Sequence, residues 1–257
     1  MNDYLIYFNQ KYNGDWEKIY NALKTFEIVN KKELDKVRFE KYEYNEGKFT
    51  ILDDDIYPKQ FNILNKPPFV LDWKGNIELL KSKKIYCLTG NYEIDYVIKY
   101  LDSIDDIKED VTIVSAYWKG LDEKIVDKCL NNNLKLILIS PNGIENPYFA
   151  KNISNFKTEN ILILSEYPKN YHVTKKTLFA RNRIIAALAN NLVLFGLKDY
   201  SLNNLIDQFL LLGKDIYCFG PEKGDSNNRN IELINSGAEL ITSLSIPISK
   251  TLEIEKH

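Results

Sequence analysis

Apolar residues fall into two textures along the chain. Over residues 4–37 they recur at helical spacing, as in WEKIYNALKTF, with no strand-like run, which predicts a small helical segment over 1–45. From Phe49, FTILDDDIYPKQFNILNKPPFVLDWKGN is cut by Pro58, Pro67 and Pro68 into short extended pieces that lead into a sheet. Short apolar runs rich in β-formers then follow at 84–90, 111–116, 134–140, 161–166, 192–196 and 215–220. Helical stretches near 92–101, 121–131, 181–190, 202–212 and 229–236 alternate with them. Strands that are apolar along their whole length, separated by helices, predict an α/β fold: a mostly parallel sheet with helices on both faces, over residues 46–257. In such a sheet the ligand lies outside the carboxyl ends of the strands, so the residues after each run are the candidate site.

At 257 residues and 44% hydrophobic, the chain can bury a sizeable core. Its formal net charge of -2 means that any contact with nucleic acid must come from a local basic patch. Cys87, Cys129 and Cys218 lie far apart without C-x-x-C spacing, and the histidines, His172 and His257, are too few for a typical metal cluster. The N-terminal MNDYLIYFNQKYNGDW has no basic region followed by an apolar run, and no apolar stretch reaches the roughly 20 residues of a membrane span. A reduced, cytoplasmic protein without membrane association is expected. Missing motifs exclude several chemistries. There is no G-x-x-x-x-G-K-[ST] loop, no G-x-G-x-x-G after the first apolar strand, where TGNYEIDY stands, no G-x-S-x-G turn and no H-E-x-x-H. Neither histidine has an evident catalytic partner, so no catalytic residue, cofactor or metal is expected.

Two stretches at the predicted strand ends carry candidate chemistry. In SAYWKGLDEKIVDKCL, Lys119 and Gly120 fall between a strand and a helix whose first N–H groups favour anions; an ordinary strand-to-helix turn is the alternative. In SEYPKNYHVTKKTLFARNR the imbalance of charge is stronger. No acidic residue occurs between Glu166 and Asp199, while Lys169, Lys175, Lys176, Arg181, Arg183 and Lys198 are all basic. Tyr167, Tyr171 and Phe179 interleave with them, the mixture of charge and stacking surface that single-stranded nucleic acid requires. The alternative is a solvated basic face. Arg181 and Arg183 open an otherwise apolar helix, so they must be solvated, paired with carboxylates or reserved for an anionic ligand.

The order YPKQFNILNKPPFVLDWKGN, IVSAYWKGLDEKIVDKCL, ISPNGIENPYFAKN, ILSEYPKNYHVTKKTLFARNRIIAAL and LINSGAELI resembles the DNA-processing protein A (DprA, or Smf) family from about residue 57 to 241. That resemblance implies an extended Rossmann fold behind a small helical SAM-like segment. It also implies binding of single-stranded DNA, loading of the RecA recombinase, and self-association as a homodimer. The family's S-G-x-A-K-G-I-D is similar to SAYWKGLD, which carries over to Ser115, Lys119, Gly120, Leu121 and Asp122 and leaves Ala116 in place of glycine. By the same resemblance Lys169 and Tyr171 border the DNA pocket, and Arg181, Asn182 and Arg183 line its rim, with one arginine able to pair with Glu166 or Asp122. Lys119 and Lys169 are expected after neighbouring strand ends. The family's S-G-S-L-x-T is similar to DYSLNN, retaining Ser201 and Leu202. The family's G-x-R arginine is missing from TGNY, and the chain ends soon after the sheet, implying a member without a winged-helix-like C-terminal domain.

Two functions follow. One is a non-enzymatic single-stranded DNA-binding recombination mediator. The other is a Rossmann-type nucleotide-binding or nucleotide-sensing protein related to phosphoribohydrolases, although those use a P-G-G-x-G-T loop and no adjacent glycines occur here.

Overall fold

The computed structural model describes residues 1–38, 46–53, 55–107, 110–151, 158–245 and 247. The predicted segment boundary at 45–46 falls at the edge of a stretch outside the described residues. Three helices come first, α1 (Asn2–Lys11), α2 (Trp16–Lys24) and α3 (Lys31–Arg38). Next comes an antiparallel pair, β1 (Glu46–Thr50) and β2 (Val70–Gly75). The alternating part consists of β3 (Ile85–Thr89), α4 (Asp95–Tyr100), β4 (Thr112–Ser115), α5 (Leu121–Asn131), β5 (Lys135–Ile139) and β6 (Ile161–Ser165). It continues through α6 (Lys175–Leu188), β7 (Asn191–Leu194), α7 (Asn203–Leu211), β8 (Ile216–Phe219), α8 (Asn230–Asn235) and β9 (Glu239–Ile241).

All these strands join one sheet in the order β1-β2-β6-β5-β4-β3-β7-β8-β9. β2 is antiparallel to both β1 and β6, and every pairing from β6 to β9 is parallel. Successive residues of a strand face opposite sides, and both sides are covered. Ile85 and Cys87 therefore join the core under α6 and α7, whereas Tyr86 and Leu88 join the core under α4 and α5. This explains why the six parallel strands predicted from sequence are apolar without a break. Burial of each such side chain contributes about 1.5–3 kcal/mol.

Helix ends are set locally. Thr174 caps α6 through a reciprocal capping box with Thr177, so the helix starts at Lys175, ahead of the predicted 181. At its other end the Lys214 ammonium donates to the carbonyls of Ala186 (2.7 Å), Ala187 (2.9 Å) and Ala189. A cation there meets the negative end of the helix dipole as well as carbonyls without helical partners. α4 is shorter than predicted and passes into a 3-10 turn at Leu101–Asp106 that buries Ile104, so this part of the acidic stretch is solvated on one side only.

The N-terminal helices gather Phe8, Ile19 and Ala22 against Phe69. Trp16 stacks on Phe69 at 5.1 Å and donates to the Pro67 carbonyl at 2.8 Å. Asn9, itself buried, donates to the Glu166 carbonyl at 2.9 Å, which ties the helices to the loop after β6. Among the described residues no helix is long and apolar enough to cross a membrane.

Candidate nucleic-acid interface

The chain turns one way out of β3, toward β4, and the other way out of β7, toward β8, although β3 and β7 are neighbours. A crevice forms at the carboxyl ends where connections diverge in this manner. The loop after β3 has closed on itself. The Asn91 and Tyr92 amides both donate to the Gly196 carbonyl, at 3.0 and 3.3 Å, and so are not directed at a ligand. The Asn91 side chain completes the seam: it accepts from the Lys198 amide and donates to Asp199 and Ser201, each at 2.7 Å. Ser201 is exposed beside this seam.

One strand further along, the turn between β4 and α5 is strained. Tyr117 has φ of 48° and Gly120 φ of 94°, both left-handed; for a side-chain-bearing residue that costs roughly 1–2 kcal/mol. Ser115 holds the turn by accepting from the Tyr117 amide at 2.9 Å. α5 starts without a side-chain cap, and Lys119 is exposed next to its first turn. A side chain at Gly120 would meet the Glu93 carboxylate, 2.6 Å from the added carbon.

Beneath this turn lies the pair that answers the question posed by the two arginines. Arg181 is 7% exposed, and its Nε and Nη1 have no hydrogen-bond partner. The Trp118 ring lies over its guanidinium at 5.6 Å. Asp122, also buried, accepts from the Thr89 hydroxyl at 2.5 Å and supplies a countercharge without a direct bond to Arg181. Arg183 differs in every respect. It makes a two-pronged ion pair with Glu166, one contact at 2.7 Å, and donates to the carbonyls of Lys66 (3.0 Å) and Ala180 (2.8 Å). Of the two carboxylates expected as partners, Glu166 takes Arg183.

The other predicted positions are spread over the rim. Asn182 donates to Asn204 at 2.9 Å, across to α7. Lys175 is exposed at the start of α6, and Lys176 pairs with Asp15 of the N-terminal segment at 2.9 Å. Lys169 lies 3.5 Å from Glu46 of β1. β5 separates the strands that precede Lys119 and Lys169, so these lysines do not follow neighbouring strands. Tyr171 stacks on Tyr167 at 5.4 Å and lies 4.9 Å from His172. Tyr167 is only 6% exposed and its phenol is pushed up by burial, so it packs inward instead of offering a stacking face. Ser115, Lys119, Gly120 and Arg181 thus gather around the ends of β3 and β4, while Lys169, Tyr171, Lys175 and Lys176 form a second group between β6 and α6. Sequence reasoning passed over Trp118 and Tyr148, both exposed; the signal was a pair of aromatic doublets, YW two residues past β4 and YF within the loop that follows β5.

Residues 48–251 match the family described as DNA recombination-mediator protein A. The chain belongs to that family. It is similar to the DNA processing protein DprA of Streptococcus pneumoniae, 29% identical over 201 residues covering 76% of this chain and 71% of the relative. It is also similar to the protein Smf of Synechocystis, 26% identical over 215 residues, covering 79% of this chain but 54% of the relative. The crystallographic fold of the S. pneumoniae DprA aligns with a TM-score of 0.69 at 24% identity, over 94% of this chain and 90% of that one. DNA processing protein A from Helicobacter pylori, solved for its single-stranded DNA binding mode, aligns with a TM-score of 0.68 at 23% identity, over 82% of this chain and 97% of that one. These likenesses bear out the DprA-type α/β fold expected from the sequence.

In this DprA-family member the Arg181–Asp122 environment has a measurable signature. Burial pushes the Asp122 carboxyl up to about 6 from 3.8, against the opposing effects of the Thr89 hydrogen bond and the Arg181 charge. Burial likewise lowers the Arg181 guanidinium to about 10, which leaves it charged at neutral pH. Because the folded pKa of Asp122 lies above its unfolded value, the native state binds the extra proton between about 4 and 6, and the group's contribution to stability falls as pH rises through that window. A carboxyl carbon titration is expected to place the Asp122 midpoint near 6. A midpoint near 4 would mean that Arg181 neutralises it directly.

Proposed function

We propose that this chain is a non-enzymatic, single-stranded DNA-binding recombination mediator. It presents a single strand to a RecA-type recombinase and acts as a cytoplasmic homodimer. The observation that carries the proposal is Arg181: a charged, nearly buried guanidinium at the strand-end crevice with two donor groups unused. Buried polar groups are almost always satisfied, and an unpaired guanidinium matches the oxygens of a phosphodiester. Lys119 beside the uncapped start of α5 supplies a second phosphate contact, and Ser115 and Gly120 shape the turn that presents it. Lys175, Lys176, Lys169, Tyr171, Asn182, Arg183 and Ser201 are assigned to the surrounding rim. A nucleotide-sensing role is less well supported, because the amides of the loop after β3 that would cradle a mononucleotide phosphate close on Gly196.

Each phosphate neutralised by a lysine releases condensed counterions, so log affinity for a single strand falls with log salt by about 0.7 per contact. Lys119→Ala is expected to weaken binding of an oligonucleotide and to flatten that slope by about 0.7. Lys24→Ala, on α2, is expected to change neither. Filter binding or anisotropy across a salt series reads both quantities. Equal effects from the two substitutions would reassign the affinity to a diffuse basic surface.

A further inference from the structure

Two aromatic doublets flank the crevice, and each sends one ring inward and one outward. Tyr117 is fully buried and packs against Phe149, with ring centroids 5.7 Å apart. Trp118 and Tyr148, their immediate neighbours in sequence, are 40% and 47% exposed and face each other at 5.3 Å with an interplanar angle of 51°. The inner pair is core; the outer pair leaves two large rings open to water, an arrangement that burial alone does not explain. The left-handed φ of 48° at Tyr117 sets the direction in which Trp118 leaves the strand, and the Ala150 amide donates to the Tyr117 carbonyl at 2.9 Å, which locks the two aromatic segments together. Below Trp118 lies the Arg181 guanidinium, nine-tenths buried and with two donor groups unpaired.

We infer that Trp118 and Tyr148 form a platform on which one unpaired nucleobase stacks while its phosphates follow Lys119 and the start of α5. The inference rests on the single-stranded DNA reading above and adds the place where a base is held. Every base has a π-face, and only unpaired bases expose one, so an open aromatic pair beside phosphate contacts selects single strands with little sequence preference. Arg181 under the indole disfavours a second cation on the ring and leaves a neutral planar partner as the better occupant. The tilt between the rings forms a notch in which a base lies flat on one ring with its edge toward the other.

Fluorescence anisotropy with a labelled oligothymidylate and with an abasic strand of the same length, at one salt concentration, separates base from backbone. Trp118→Ala is expected to weaken oligothymidylate binding roughly tenfold and to leave the abasic strand unchanged. Trp118→Phe, which keeps a stacking ring, is expected to stay within about threefold of the parent for both. Tyr148→Ala, on a separate segment, is expected to follow Trp118→Ala and serves as the test if that variant does not fold. Unchanged oligothymidylate binding in both alanine variants, or an equal loss for the abasic strand, overturns the platform while leaving Lys119-dependent DNA binding in place. Failure of the parent protein to bind either strand removes the DNA reading and the platform together.

Discussion

Arg183→Met is expected to lower the unfolding free energy by about 3–5 kcal/mol in urea titrations. The magnitude comes from what is left behind. Glu166 has a side chain only 5% exposed, and its carboxylate is held by the two nitrogens of one guanidinium that is itself 14% exposed. Removing the cation strands a carboxylate next to the buried Tyr57 and Tyr167 phenols, in a site from which water is largely excluded. It also frees the Lys66 and Ala180 carbonyls. The double variant Glu166→Gln/Arg183→Met is expected to recover part of the loss, since the orphaned charge is gone. A single-variant loss below about 1 kcal/mol would place the pair in the class of surface ion pairs and remove its role in anchoring α6 to the loop after β6.

A comparable loss, about 3 kcal/mol, is expected for Gly143→Ala, from crowding and not from charge. A carbon added at Gly143 would lie 1.9 Å from the Lys169 carbonyl oxygen and 2.3 Å from that of Pro168, both backbone atoms that no side-chain rotation can move. Relief requires the segment after β5 to separate from the loop after β6. That separation breaks the bonds from the Gly143 amide to Tyr171 (2.9 Å) and from the Glu145 amide to Lys169 (3.2 Å). Hydrogen exchange at these amides is expected to accelerate in the variant. Gly224→Ala is the contrast: its φ of 95° is unfavourable for alanine, but nothing lies within 4 Å of the added carbon, so about 1 kcal/mol is expected. Similar losses for the two variants would show that backbone conformation, and not close approach, governs Gly143.

The six parallel strands from β3 to β8 were legible because burial on both faces keeps their interior positions apolar and confines polar residues such as Thr112, Ser115 and Asn191 to their ends, a pattern that survives without any knowledge of neighbours. β1 was not legible. EGKFT contains a glycine and two charges, and it is held as an edge strand by partners distant in sequence, Lys74 opposite Glu46 and Asp72 opposite Lys48. The site follows the same division. The excess of basic residues after Glu166 is visible in the sequence, but their pairing is not, because Asp15 and Glu46 come from other elements. Tyr167 reads as a stacking surface only until Gly14 and the N-terminal helices are seen packed against it. Trp118 and Tyr148 reverse the inward direction of their immediate neighbours, and no periodicity carries that information. The two arginines of FARNR are separated by a single residue, yet the helical rotation between them sends one to Glu166 and the other under Trp118.

α6 is fixed at both of its ends, by the Thr174 capping box at the first turn and by Lys214 on the last carbonyls. With its register set in this way, the helix cannot slide or fray to bring Arg181 toward an incoming chain. Much of the conformational entropy of placing that guanidinium is lost on folding, before any ligand arrives, and less remains to be lost on association. A strand binding here would meet a rigid receptor and supply the flexibility itself. Differences among oligonucleotides should then appear in how long each complex lasts more than in how fast it forms.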